Sequence, residues 1–600
     1  MQRASSLLQA GNFALARATL EQVVHDAPRF VEGHRLLGGA LIGLRDFAGA
    51  ERALRGAVAI DPNWAPAQTS LGELFLNLGR FDEAEAALHA AVDSGRNHER
   101  AAFLLARRFN DSDRAQQALD LCTRFVAQAQ SDLEFATQHA AALSALKRHD
   151  EAIVLYRRIV RSVPGNVTAQ VNLAAALDAA GQHRDAETTV HTAIARGATT
   201  PEANFVHARS LIAMNRFDDA QAALLRAIAQ RPTFADAQRN LAQLIWMRTA
   251  DTTAASEFLD AAMRAHPDDD ALRTIKASVL DGAGDARAAH AIIAERTDRM
   301  DSSVDLLLTA AQAALKFDPA LGLAHARRAV SIAPAHAMAQ RLLADSLLAN
   351  RLPQEAADVT ARLLRDAPND QHLLAVQTTA WRLLSDARYA EYCDYAHMAR
   401  GAVIDTPPGW SDLASYLRDL ARSLHALHGL HTHPLFQSLR HGSQTTQNLQ
   451  YSNDPAIKAF FIAIDGPIRR HIAAIGRDGR DPLHRRNEGG YRIQGIWSVR
   501  LRGQGYHTNH VHPEGWLSSA CYIELPRSMA SDGDGSKQGW LKFGEPGIAT
   551  TPPLAPESFI RPKAGLLALF PSYFWHGTVP FEGDDTRLTI AFDLVPVSAP

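Results

Sequence analysis

The sequence predicts a multidomain chain in which an all-α repeat solenoid is followed by a β-rich domain. Three observations predict it. Small residues return every 34 positions through the first two thirds of the 600 residues. After Ala402 that period gives way to short apolar runs punctuated by Pro and Gly. The last of those runs alternates apolar and polar residues, as a strand with one buried face does. The composition agrees: 46% hydrophobic and 21% charged residues are ordinary for a globular protein and exclude disorder, collagen and a disulfide-stapled mini-domain. Lys+Arg 62 against Asp+Glu 65 leaves a net charge of −3, so no whole-chain field steers the protein to nucleic acid or an anionic membrane. Cys122, Cys393 and Cys521 are odd in number and far apart, which supplies neither a disulfide framework nor a thiolate zinc site. That usage suits a reducing compartment, and a cytoplasmic location is expected. The opening MQRASSLLQAGNFALARATL reads as an amphipathic helical hairpin, not a signal peptide. No apolar run reaches the roughly 18 residues of a membrane span.

In the repeat region, steps of 34 land on Ala16, Ala50, Ala84, Ala118, Ala152, Ala186, Ala220, Ala254, Ala288, Gly322, Ala356 and Ala390. A second position carries Pro28, Pro62, Pro164, Pro232, Pro334 and Pro368. A third carries Phe13, Phe47, Phe81 and Phe217, with His149 and His183 standing in between. The unit is a helix–turn–helix: small residues allow the two helices to cross closely, and proline, lacking an N–H, stops the second helix. Segment 71–92 shows the three- and four-residue apolar spacing, with Gly79 at the turn. Residues 96–135 and 285–320 lack the register proline, yet the unbroken spacing predicts helix pairs there too. This pattern resembles the tetratricopeptide repeat over residues 1–398, about 12 helix pairs, although Leu or Ala mostly replaces the pattern's Trp and Tyr. The resemblance implies a superhelical array whose groove holds a peptide or partner protein; a plain spacer is the other reading.

Residues 399–433 read as a linker, 403–413 being rich in Pro and Gly, with one helix over 413–429. The β-rich domain is expected over 434–600. Its strands are read at 494–501, 516–525, 540–543, 565–570 and 587–595, a spacing that suggests a sandwich or jelly roll. In the last, Leu588, Ile590, Phe592 and Leu594 share one face. Arg587, Thr589, Ala591 and Asp593 share the other, which suggests that this face lines a polar pocket.

Three features of this region carry chemistry. Asn509-His510-Val511-His512-Pro513-Glu514-Gly515 precedes a strand, and alternate residues of extended chain point the same way, so His510, His512 and Glu514 can face one pocket. His576 ends the run Phe570-Pro571-Ser572-Tyr573-Phe574-Trp575. Arg587-Leu588-Thr589 opens the final strand. Two imidazoles and a carboxylate bind Fe(II) and leave positions open for a chelating cosubstrate and O₂. A guanidinium fork suits the cosubstrate's carboxylate, shared with a hydroxyl two residues on. Alone, each of these short motifs is usually structural; their order raises them together.

With segments 433–445, 510–526, 539–546, 569–581 and 587–594, the region from about Pro434 to Pro596 resembles the 2-oxoglutarate/Fe(II) oxygenase family, whose double-stranded β-helix domain often follows tetratricopeptide repeats. The resemblance implies that His576 is the distal iron ligand and Arg587, with Thr589, the anchor of 2-oxoglutarate; Tyr522 would line the same pocket. Two sets remain open for the first ligands. His510 with His512 gives a three-histidine site and is preferred, because the family's residue at the place of Glu514 need not be acidic. His512 with Glu514 fits the wider His-x-acid pattern. No catalytic residue is expected beyond the metal site.

Other candidates carry less. His431-Thr432-His433 reads as a loop or lid. Ser443, Cys521 and Ser572 lack the His/Asp order of a nucleophile triad. Segment 531–539, with Asp532 and Asp534, reads as a solvated hairpin loop rather than a phosphate loop. The functional expectation is an Fe(II)- and 2-oxoglutarate-dependent dioxygenase using O₂, with ascorbate as reductant, that hydroxylates a protein or peptide held by the repeats. The alternative is a non-catalytic repeat scaffold whose oxygenase-like domain only binds. Neither a nucleic acid nor a membrane is expected as a partner.

Overall fold

The structure is a computed structural model that describes residues 1–95, 98–125, 132–299, 301–477, 479–529 and 536–598. Asp532 and Asp534 therefore lie outside the described residues. The chain forms two compact units, Met1–Thr199 and Thr200–Pro600.

In the first unit the period is kept to the residue. The second helices of the pairs begin at Phe13, Phe47, Phe81, Ala115, His149 and His183, each 34 after the last. The small residues at Ala16, Ala50, Ala84, Ala118, Ala152 and Ala186 are all 0% exposed, as close helix crossing requires. Each turn between paired helices needs one left-handed residue: Gly11, Arg45, Gly79, Asp113, Lys147 and Gly181 all have φ between 57° and 75°. Only some are glycine, because one exposed non-glycine residue in that region costs about 1–2 kcal/mol and the packed turn sustains it. The register prolines have a further use. The Pro28, Pro62 and Pro164 carbonyls accept from His34, Gln68 and Gln170, six residues on, at 2.9, 3.1 and 2.8 Å. The weak stretch 96–135 contains the helices Glu99–Asn110 and Ala115–Arg124.

The second unit continues the pairs but slips. Its second helices start in register at Phe217, Pro319 and Pro353, while Glu257 is six residues late and Ala286 and Arg388 one late. Ala254 accordingly falls in a turn, Ala288 is only half-buried, and Ala390 is exposed on a helix of five residues, Arg388–Tyr392. The helix Ala235–Thr249 runs two residues past the 13 of Pro201–Ala213, and its Trp246 and Met247 pack against Leu430 and Leu435.

The β region of this unit holds nine strands among the described residues: β1 Arg400–Val403, β2 Leu439–Gln444, β3 Gly489–His507, β4 Leu517–Glu524, β5 Leu541–Phe543, β6 Ser558–Ile560, β7 Leu566–Pro571, β8 His576–Thr578 and β9 Arg587–Ser598. Six form an antiparallel sheet in the order β1-β7-β4-β9-β3-β2, and β6-β5-β8 form a smaller one. All five expected strands are present. The stretch read as linker contributes β1, whose Val403 pairs with Leu566, and the helix Leu413–His425.

The core face of β9 behaves as its alternation predicts: Leu588, Ile590, Phe592 and Leu594 are 0% exposed. A helix that the sequence reading does not assign, Pro455–Ile475, covers that face, with Phe460 stacked edge-on to Phe592 at 6.3 Å. Gly466-Pro467 in its middle reads as a break, but Pro467 is buried within a continuous helix.

The last repeats and the β sheets share one core. Leu374 and Ala375 belong to the same buried cluster as Phe570, Trp575 and Phe592. The Trp575 indole N–H donates to Thr379 Oγ1 at 2.9 Å, and Arg382 donates to the Gly544 and Ala555 carbonyls at 2.8 and 2.9 Å. No helix among the described residues is long and apolar enough to cross a membrane.

Candidate metal centre

Backbone pairing assembles the site. His510 and His576 exchange N–H to carbonyl hydrogen bonds of 2.9 and 3.1 Å, an isolated antiparallel bridge that makes their imidazoles cross-strand neighbours. His512 lies two residues on, and its amide donates to the Ser572 carbonyl at 3.0 Å. Donor nitrogens of His510, His512 and His576 all lie within 4.8 Å of one another.

Each ring is oriented through its other nitrogen. Nδ1 of His510 donates to the Thr508 carbonyl at 2.8 Å, Nδ1 of His576 to the Phe574 carbonyl at 2.9 Å, and Nδ1 of His512 to the Asp593 carboxylate at 2.8 Å. Those oxygens only accept, so Nδ1 carries the proton and Nε2 presents a lone pair. Nε2 of His510 and of His512 face each other at 3.2 Å, where two lone pairs repel unless a cation lies between them. Burial, reinforced by the neighbouring imidazoles, holds His510 down to about 3 and His576 well below its ordinary value, so both are neutral at pH 7. Three pre-oriented imidazoles whose Nε2 atoms converge fit a divalent transition metal.

The histidines open into a cavity of about 540 Å³ whose wall includes Trp497, His507, Arg587, Thr589, Ala591 and Asp593. The polar face of β9 supplies the last four. Arg587 is 2% exposed, and its Cζ lies 5.0 Å from the Tyr522 ring centroid. Its Nη1 donates to the Gly539 carbonyl at 3.2 Å, while its Nε and the buried Tyr522 hydroxyl have no hydrogen-bond partner among the described residues. Among the described residues no carboxylate pairs with Arg587. Burying a cation without a counter-charge costs several kcal/mol, so the fold holds open a place for an anion.

Of the residues named from sequence, His510, His512, His576, Arg587 and Thr589 come to one cavity. Tyr522 lies against Arg587 but not on the cavity wall. Glu514 reaches the cavity's margin with an exposed side chain and is not among the grouped donors. His431 and His433 form no lid. The amides of His431 and Thr432 donate to the Met247 carbonyl at 2.9 and 3.1 Å, and the Trp246 indole donates to the His433 carbonyl at 2.8 Å, which pins the segment to a repeat helix. Sequence reasoning assigned no role to Asp593, His507 or Ser438. The signal for Asp593 was its place in the β9 alternation. His507 and Ser438 carry none: the Ser438 hydroxyl bridges His507 Nδ1 and His510 Nε2, at 3.0 and 3.2 Å, across 69 and 72 residues of chain.

Residues 495–593 match the family described as "Putative 2OG-Fe(II) oxygenase". Residues 41–108 and 143–209, and in a second family model 1–63 and 205–270, match families described as tetratricopeptide repeat. The chain thus carries tetratricopeptide repeats within its first 270 residues and, over residues 495–593, a region that matches this oxygenase family. No curated protein matches it. Among solved structures it is similar to a tetratricopeptide repeat protein from Parabacteroides merdae (11% identity, 41% of this chain and 96% of that one, TM-score 0.32). It is also similar to the thermophilic repeat protein TTC0263 of Thermus thermophilus (22%, 30% and 98%, 0.27) and to yeast Tom70 (13%, 66% and 96%, 0.30).

Proposed function

We propose that this chain is an Fe(II)- and 2-oxoglutarate-dependent dioxygenase that hydroxylates a protein or peptide brought to it by its repeats. One observation carries the reading: three converging imidazoles and a buried guanidinium that has no carboxylate partner among the described residues line the same cavity. When bound, Fe(II) and 2-oxoglutarate supply oxidative decarboxylation to succinate and CO₂, coupled to insertion of one oxygen atom of O₂ into a substrate C–H bond. His510, His512 and His576 would hold the metal. Arg587 would pair with the far carboxylate of the cosubstrate, with Tyr522 and Thr589 as neighbouring hydroxyls. Arg341, from the repeat helix Ala337–Ala349, also lines the cavity and is fixed by Asp370 at 2.8 Å. A substrate entering there meets the repeats and the site together, which supports a macromolecular substrate. The repeat array over 1–398 and the oxygenase domain over 434–600 are the proposed division of labour.

The test is succinate release from 2-oxoglutarate by the full chain with Fe(II), ascorbate and air, with and without cell lysate. Release in the wild type, its increase with lysate and its loss in His576→Ala are expected. Full occupancy by iron and 2-oxoglutarate with no succinate under any condition would instead mark a binding scaffold.

A further inference from the structure

A site of three imidazole ligands lacks the negative charge that a carboxylate ligand would bring to a divalent metal. Asp593 stands one step behind. Its carboxylate receives His512 Nδ1–H at 2.7 and 2.8 Å. It also receives the Ser518 hydroxyl at 2.8 Å, and Ser518 in turn meets the Ser572 hydroxyl at 2.9 Å. Both serines are 0% exposed. Gly515 has no side chain where a Cβ would run into Ser572 Oγ, so the chain between His512 and β4 closes tightly over this group. In register, Asp593 pairs with Gly495 on β3 and Ser518 on β4, and the hydrogen bond to His512 joins the ligand segment to the middle of the large sheet.

We infer that Asp593 is the positioning carboxylate of the metal centre, supplying through His512 the charge that the three-histidine set lacks, with Ser518 and Ser572 fixing its orientation. The inference rests on the proposed function and decides between its two ligand sets, because it leaves Glu514 with no part in the metal site. An imidazole that donates Nδ1–H to a carboxylate is held in the ligating tautomer and made a stronger base at Nε2. Asp593→Asn keeps the size of the side chain and removes the charge. Loss of such a partner lowers metal affinity by about 10- to 100-fold.

The experiment is anaerobic titration of the full chain with Co(II), read by its visible ligand-field absorption, with the unfolding midpoint of the metal-free protein recorded for each variant. The inference predicts that Asp593→Asn binds Co(II) 10-fold or more weakly and with a shifted band. Ser518→Ala, which keeps the charge but frees the carboxylate, should bind a few-fold more weakly, and Glu514→Gln as wild type. Metal-free midpoints should stay close to wild type, so that the loss is one of ligation and not of folding. Wild-type affinity and band in Asp593→Asn, beside lost binding in His576→Ala, would overturn this inference and leave the proposed function standing. If Asp593→Asn does not fold, wild-type affinity in Ser518→Ala overturns it equally. Loss of cobalt in Glu514→Gln would overturn it in favour of the other ligand set. Wild-type chain that binds no cobalt, or His576→Ala that binds it undiminished, would overturn the proposed function together with this inference.

Discussion

At the residue scale, the account turns on side chains whose burial makes sense only with a ligand. Arg587 is the sharpest case, a guanidinium 2% exposed without an ionic partner among the described residues. Arg587→Ala should weaken 2-oxoglutarate by ~2–5 kcal/mol, the range for truncating one partner of a buried charge pair, while iron affinity stays within a few-fold of wild type. Arg587→Lys should recover part of the loss, because an ammonium cannot form the paired fork. Equilibrium dialysis of labelled 2-oxoglutarate measures both 2-oxoglutarate affinities and anaerobic Fe(II) titration the iron affinity, and equal 2-oxoglutarate affinity in Arg587→Ala would remove the anchor role. Much of this was legible beforehand: the β9 alternation alone placed Arg587, Thr589, Ala591 and Asp593 on a common polar wall. The link from Asp593 to His512 was not legible, since it joins residues 81 apart and depends on β3, β4 and β9 lying side by side.

At the element scale, the turn before β8 is held from outside the β sheets. Trp575, next to His576, lodges its indole N–H between Thr379 Oγ1 and the Ala375 carbonyl of the helix Gln371–Leu383. Trp575→Phe takes the indole donor from buried Thr379 Oγ1, while the Ala375 carbonyl keeps the Thr379 hydroxyl at 2.7 Å, and should cost about 1–3 kcal/mol of stability, measured by urea unfolding of the metal-free chain. A loss below 0.5 kcal/mol, about the lower bound for one hydrogen bond, would show that the helix does not brace the turn. Three buried histidines away from the metal centre give a pH signature. Burial holds His428 down to about 3 and His433 and His471 to about 4, each assisted by a nearby arginine. An unfolded histidine titrates near 6.5. Above that pH their contribution is complete; as pH falls from about 6.5 towards 4, the unfolded chain takes up protons the folded chain refuses, and stability drops. His471→Gln should therefore reduce proton uptake on unfolding at pH 5 by about one, read from the pH slope of urea stability. An unchanged slope would contradict the assignment. Of these only His433 stood out in the sequence, as part of His431-Thr432-His433; nothing local distinguishes His471, which packs inside the helix Pro455–Ile475.

At the scale of the whole molecule, the repeat period was legible because it is local and recurs, and it held to the residue across the first unit. It faltered at Ala254, Ala288 and Ala390 in the second unit, whose repeat helices also pack against non-repeating chain, Trp246 and Met247 against Leu430 and Leu435 and Leu374 and Ala375 against Trp575. The shared core predicts how truncations behave. A chain cut near residue 400 would strip the helix Gln371–Leu383 from Trp575 and expose the apolar surface that Leu374 and Ala375 cover, so it should be insoluble or unfolded by circular dichroism. A chain beginning at Thr200 keeps the second compact unit whole. It should bind iron and 2-oxoglutarate as the full chain does, yet hydroxylate a protein substrate at least 10-fold more slowly, the loss expected when a tethered encounter becomes a free one. Equal hydroxylation by both would assign the first unit a role other than substrate delivery. The central claim, that metal and cosubstrate share the cavity bounded by His510, His512, His576 and Arg587, is tested most directly by anaerobic 2-oxoglutarate binding with and without Fe(II). The account predicts that Fe(II) tightens 2-oxoglutarate in the wild type and that this gain vanishes in His576→Ala. An affinity indifferent to Fe(II) in the wild-type chain would contradict it.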